Sequence, residues 1–169
     1  MSLFNFFKHS SDSDVKKYSL LHEKLEKEYP FLGEKELVLT GCIAGLLARV
    51  ALVDLVLDKN EIGQIKSTLK DWNINEQIHC ELIANIAIKH IEEMSGLENH
   101  LYVYPLKENL KDEDKYRVLQ SLFLVAASDG KIAGIESEEI RIITKGLGLS
   151  NQHFLSARAE MAQYIAALK

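Results

Sequence analysis

Apolar residues along this 169-residue chain recur every three or four positions, which is the spacing of one face of an α-helix. The first such stretch runs to Tyr29 and is closed by Pro30, which cannot continue a helix. Pro105 predicts a short helix, or two helices broken near it. The pattern as a whole predicts an all-α bundle of seven to eight helices.

The most apolar stretch is Leu37–Leu57, which is long enough to raise the alternative of a transmembrane helix. Arg49 and Asp54 lie inside it, and each would cost about 2.5–3.5 kcal/mol at the centre of a membrane helix. We therefore expect no transmembrane segment but a central core helix, in which Gly41 and Gly45 permit a close helix crossing. Arg49 then needs a partner carboxylate or an exposed edge, because a buried unpaired charge is costly.

Two segments of the chain repeat one pattern of acidic and apolar residues at a constant offset of 75 residues. The offset is too long for a solenoid repeat and suits an internal duplication of one helix-loop-helix unit. We therefore expect the bundle to be built from two related units. The corresponding pairs are Asp54 and Asp129, Leu57 and Ile132, Glu61 and Glu136, and Ile65 and Ile140.

Each copy places an Asp at the end of one helix and a Glu in the first turn of the next. The positive end of the helix dipole stabilises such a Glu. Asp58, followed three residues later by Glu61, also fits an Asp variant of the capping box. Asp54 and Asp129 are at the C-terminal ends of their helices, where the negative end of the dipole disfavours an acidic side chain. These residues therefore need another role. Two interpretations stay open: each Asp bonds its loop backbone, or the carboxylates hold a hard cation.

The second copy resembles the signature of the TerB family of tellurite resistance proteins. Residues 126–132 form an Ala-x-x-Asp-Gly loop, and a Glu-bearing helix follows that closes with Leu-Gly-Leu and Ser at 147–150. The first copy, at 54–65, is similar to the first such loop of the family, so the resemblance covers roughly 36–165. Two positions depart from the family pattern. Leu55 stands where Gly is usual, and Ala133 stands where a second Asp is frequent.

The resemblance implies an all-helical, non-catalytic protein of the stress response, tied to tellurite resistance, with a divalent cation at its carboxylate loops. An all-oxygen donor set favours Ca²⁺, Mg²⁺ or Mn²⁺ over Zn²⁺. Backbone carbonyls, waters or the facing loop must complete the ligand shell. The alternative is an interaction or scaffold module whose acidic corners dock a protein partner without metal. The candidate ligands are Asp54, Asp58, Glu61, Asp129, Glu136 and Glu139.

Composition and the motifs that the sequence lacks exclude several classes of function. The net charge of −5 and the lack of a basic stripe argue against nucleic-acid binding. Cys42 and Cys80 are far apart, which is typical of a reducing compartment and predicts a cytoplasmic location. The sequence has neither a phosphate-cradling glycine loop nor a Gly-x-Ser-x-Gly elbow, so we expect no enzyme.

The chain length suits one domain, which we place at residues 15–169. Residues 1–14 are expected to form a flexible or loosely packed N-terminal tail. Three Phe fall within residues 2–8, so peripheral membrane contact is an alternative for this segment. A single nearby Lys gives such contact little electrostatic help, and stable anchoring generally takes two signals.

Overall fold

The computed structural model describes residues 21–72, 77–93 and 99–167. These ranges contain eight helices and no strand, which confirms the predicted all-α class. The predicted tail at 1–14 and the membrane contact through residues 2–8 lie outside the described residues. Residues 21–28 form α1, and the helices that follow are α2 (Glu34–Ala51), α3 (Lys59–Trp72), α4 (Cys80–Glu93), α5 (His100–Asn109), α6 (Asp112–Ala126), α7 (Gly134–Gly146) and α8 (Asn151–Ala167).

Helix α2 is the centre of the bundle, as its apolar sequence predicts. Most of its residues are buried, and it contacts each helix from α3 to α7. A Cβ atom added at Gly45 would lie 2.6 Å from Cε1 of Tyr102 on α5, so only glycine allows this approach. The expected close crossing is therefore present at Gly45. No helix in the described ranges is long and apolar enough to cross a membrane.

Helix α5 is the short helix that was one of the two alternatives at Pro105, and it continues through this residue to Asn109. Proline removes one backbone donor, but Leu101, Tyr102 and Leu106 are buried on the same short helix, which packs against α2. This burial outweighs the lost hydrogen bond. The side-chain amide of Asn109 donates to the Pro105 carbonyl at 2.9 Å.

The turn between α7 and α8 follows the predicted stop and start signals. Gly148 adopts a positive φ of 79°, and the Leu149 amide donates to the Thr144 carbonyl at 3.1 Å, as in a Schellman ending. The Ser150 hydroxyl then accepts from the His153 amide at 3.4 Å and caps α8.

Helices α3 and α6 meet through Trp72, the only tryptophan in the sequence. Its indole Nε1 donates to the Ser121 hydroxyl at 3.1 Å, and the Arg117 guanidinium lies 4.3 Å from the ring centroid. The indole is thus fixed by a hydrogen bond and a cation–π contact. It joins the helix that follows the first acidic loop to the helix that precedes the second.

Candidate functional site

Two loops carry the repeated acidic pattern. The first corner is residues 52–58, between α2 and α3, and the second corner is residues 127–133, between α6 and α7. Backbone hydrogen bonds at and beside the first corner recur in the second at the offset of 75 residues, which supports the interpretation of two related units. The donors are Leu52, Val53, Leu55 and Ile62 in the first unit and Ala127, Ser128, Gly130 and Ser137 in the second.

The two aspartates occupy the same position in the two corners. Asp54 Oδ1 accepts from the Val56 amide at 2.9 Å, and Asp129 Oδ1 accepts from the Lys131 amide at 3.0 Å. Both are turns in which an Asp side chain bonds the backbone two residues on. This role accounts for an acidic residue where the helix dipole disfavours one.

The two glutamates also share one role. Glu61 Oε2 accepts from the Asp58 amide at 2.8 Å, and Glu136 Oε2 accepts from the Ala133 amide at 2.6 Å. Asp58 Oδ1 in turn accepts from the amides of Asn60 and Glu61, so the predicted capping box of α3 is complete. Ala133 has no side-chain acceptor, and α7 therefore has only the glutamate half.

The middle of each corner requires a left-handed backbone. Gly130 has φ 90°, and Leu55, its counterpart, has φ 65°. A leucine pays about 1–2 kcal/mol for this conformation, whereas glycine does not. The Leu55 side chain is 86% exposed, so little packing offsets that cost. The alignment of Leu55 with Gly130 in the sequence is the signal that points to a left-handed residue at both positions.

The two corners act on each other electrostatically. Glu61 and Glu136 are each only 8% exposed. Burial raises the pKa of Glu136 to about 7, with added repulsion from Glu61, Asp129 and Asp54. Burial also raises the pKa of Glu61, with repulsion from carboxylates of both corners. Asp54, Glu61, Asp129 and Glu136 therefore form one group, which we call the carboxylate cluster.

Glu139, the remaining candidate ligand, has protein partners instead. Its Oε1 accepts from Arg49 Nε at 2.9 Å and from Asn99 Nδ2 at 2.7 Å. Arg49 thus has the partner carboxylate that its place in the central helix required. The ion pair joins α2, which leads into the first corner, to α7, which leaves the second.

The cluster is not preassembled around an ion. In the part of the chain that the structure describes, no three His, Cys, Asp or Glu side chains are arranged to hold a metal. Each cluster carboxylate bonds a backbone amide through one oxygen, which leaves the second oxygen as a donor. A cation would need these side chains to turn toward one another, with waters completing its shell.

Comparison with known families identifies the chain. The model of the family described as tellurite resistance protein TerB matches residues 41–159, which is more than half of the sequence. The chain belongs to the TerB family. The matched range of this TerB-family protein includes both corners, which confirms the resemblance drawn from their residues. Among curated proteins and among solved structures, no match was found.

Proposed function

We propose that this TerB-family protein is a non-catalytic component of a stress response related to tellurite resistance, and that it binds a divalent cation at the carboxylate cluster. The proposal is carried by Glu61 and Glu136, each 8% exposed, whose pKa values are raised by burial and by repulsion within the cluster of four carboxylates. None of the four forms an ion pair with a Lys or Arg of the described residues. A cation would relieve this repulsion.

The chemistry of the cluster favours a hard cation. All its donors are carboxylate oxygens, which suit Ca²⁺, Mg²⁺ or Mn²⁺ better than Zn²⁺. Asp54 and Asp129 are exposed, so water can complete the shell from that side. Asp58 caps α3 beside the cluster, and Glu139 is held by Arg49 and Asn99, so we place neither in the primary ligand set.

The remaining parts of the proposal draw on the family. Absence of catalysis and the link to stress are what the TerB resemblance implies. Neither Cys42 nor Cys80 forms a disulfide, which suits the proposed cytoplasmic location.

Calorimetry tests the cation site. We expect Ca²⁺ or Mn²⁺ added to chelator-treated protein to give binding heat, and Asp129→Asn or Glu136→Gln to weaken affinity at least tenfold. Glu138→Gln is the matched control, because Glu138 is an exposed carboxylate on α7 that pairs with Arg141. Absence of heat with Ca²⁺, Mn²⁺ and also Mg²⁺ at millimolar concentration would overturn the proposal.

A second candidate function, docking of a protein partner without metal, is favoured by the exposed apolar side chains of Leu55 and Val56 in the first corner. Thermal melting with and without chelator separates the two. Added cation raises the melting temperature only if it binds the folded state.

A further inference from the structure

Large apolar side chains are exposed beside the carboxylate cluster. Leu55 is 86% exposed, Val56 is 65% exposed, and Ile135 is 51% exposed. Leu55 and Val56 directly follow Asp54, and Ile135 directly precedes Glu136. The Arg49–Glu139 ion pair joins α2, which ends at the first corner, to α7, which begins at the second, so these apolar residues lie near one acidic centre. We call the three side chains and the carboxylate cluster together the corner surface.

Two features of the corner surface destabilise the folded protein, and no contact among the described residues compensates for them. Leu55 is held in a backbone conformation that disfavours it, and its side chain gains little by burial in return. The neighbouring carboxylates repel one another without a basic partner among the described residues. A basic and apolar partner that covers the surface would offset both costs, by burying the Leu55 side chain and by neutralising the carboxylates.

We propose that the corner surface binds an amphipathic helix of a partner protein, with Leu-like side chains against Leu55, Val56 and Ile135 and with Lys or Arg against the carboxylates. Helices of this kind bind by placing an apolar face on a matching surface. The net charge of −5 makes a second copy of this chain a poor electrostatic match. The occupant is therefore a different, basic protein.

The partner helix and the cation compete for the same carboxylates. This second step rests on the proposed cation site, whereas the docking itself does not. A bound divalent cation supplies the positive charge that the lysines of the helix would otherwise supply. Each ligand therefore weakens the other by the same factor. Cation level then regulates the docking.

A model peptide tests the docking. The probe is a labelled helix of about 18 residues with a leucine face and a lysine face, and binding is read by fluorescence anisotropy in chelator. We expect it to bind, whereas a Leu/Glu helix and a Ser/Lys helix do not. Equal binding of the Ser/Lys helix would mean charge attraction alone and would overturn the apolar part of the proposal.

Leu55→Gly tests the site without endangering the fold. Glycine adopts the backbone of this position as Gly130 does, so the variant should be at least as stable as the wild type. We expect its affinity for the Leu/Lys helix to fall about tenfold. The control is Leu155→Ala, which trims a 48%-exposed leucine on α8 and should change nothing. Unchanged binding by Leu55→Gly would refute the location.

Peptide binding measured with added cation distinguishes the docking proposal from the cation-site proposal. Saturating Ca²⁺ or Mn²⁺ should weaken the peptide about tenfold in the wild type and much less in Asp129→Asn. Peptide binding that persists while calorimetry detects no cation would refute the cation site and leave the docking supported. Binding of both ligands without interference would overturn the competition.

Discussion

The two corners have the same backbone and different side chains. Both aspartates bond the amide two residues on, and both glutamates bond the amide three residues back. Yet the first corner has Leu55 where the second has Gly130, and its cap residue Asp58 corresponds to Ala133. The common geometry is therefore set by the Asp and the Glu, while the glycine and the cap residue vary.

The connection between the corners breaks the symmetry. Arg49 and Glu139 form an ion pair across the bundle, but their counterparts at the offset of 75 residues are Leu124 and Gln64. Gln64 instead donates to Thr68 within its own helix at 3.2 Å. This contact between α2 and α7 is therefore unequal, because the repeated pattern provides no second copy of it.

Removing the Arg49–Glu139 ion pair should have the largest effect on the free energy of unfolding. Arg49→Met leaves the Glu139 side chain, 9% exposed, without its cation, and we expect unfolding to become easier by about 3 kcal/mol in urea titrations. The control Lys24→Met breaks the more exposed Lys24–Glu93 pair and should cost less than about 1 kcal/mol. Similar losses for the two variants would show that the unequal contact does not hold the corners.

Replacement of Gly130 should have the next largest effect on stability, and it tests the backbone conformation that the two corners share. Gly130→Ala places a Cβ in open space but at positive φ, so we expect a loss of about 1 kcal/mol in stability. Gly63→Ala is the matched control, because it also meets open space but lies inside α3. It should stabilise the protein by about 0.5–1 kcal/mol. Stabilisation by both changes would contradict the left-handed turn.

The smallest effect concerns pH and the repulsion between the corners. The pKa of Glu136 is raised from 4.5 to about 7 in the folded protein, so its contribution to stability is lost as pH rises through this window. Glu136→Gln keeps an acceptor for the Ala133 amide and removes the charge. In chelator, we expect it to be more stable than wild type by about 1 kcal/mol at pH 8, after allowance for solvent screening.

At about pH 3 the Glu136 side chain is nearly uncharged in both the folded and the unfolded state, and the advantage of Glu136→Gln should vanish. Urea melts at several pH values measure the difference. An advantage that does not change with pH would show that packing, and not charge, distinguishes the variant.

Sequence periodicity predicted the local features of the fold well. The central helix, the capping box at Asp58 and the ending at Gly148 follow from signals within a few residues of each other. Local signals could not decide between one short helix and two broken ones at Pro105, where burial against α2 keeps a single helix.

The site was harder to predict because it depends on distant contacts. The repeat indicated the equivalence of Asp54 and Asp129, but not that the carboxylates of the two corners influence one another. Glu139 was a plausible ligand by spacing, and only the fold reveals that Arg49, 90 residues away in sequence, holds it. The cation and its ligands stay predictions until they are measured.

The contact around Trp72 gives this protein a built-in optical probe. The single indole joins α3, which follows the first corner, to α6, which precedes the second, and Ser121 and Arg117 fix its surroundings. A shift between these two helices would alter the polarity at the ring and thus its emission. Movement caused by an ion or a partner is therefore observable in unlabelled wild-type protein.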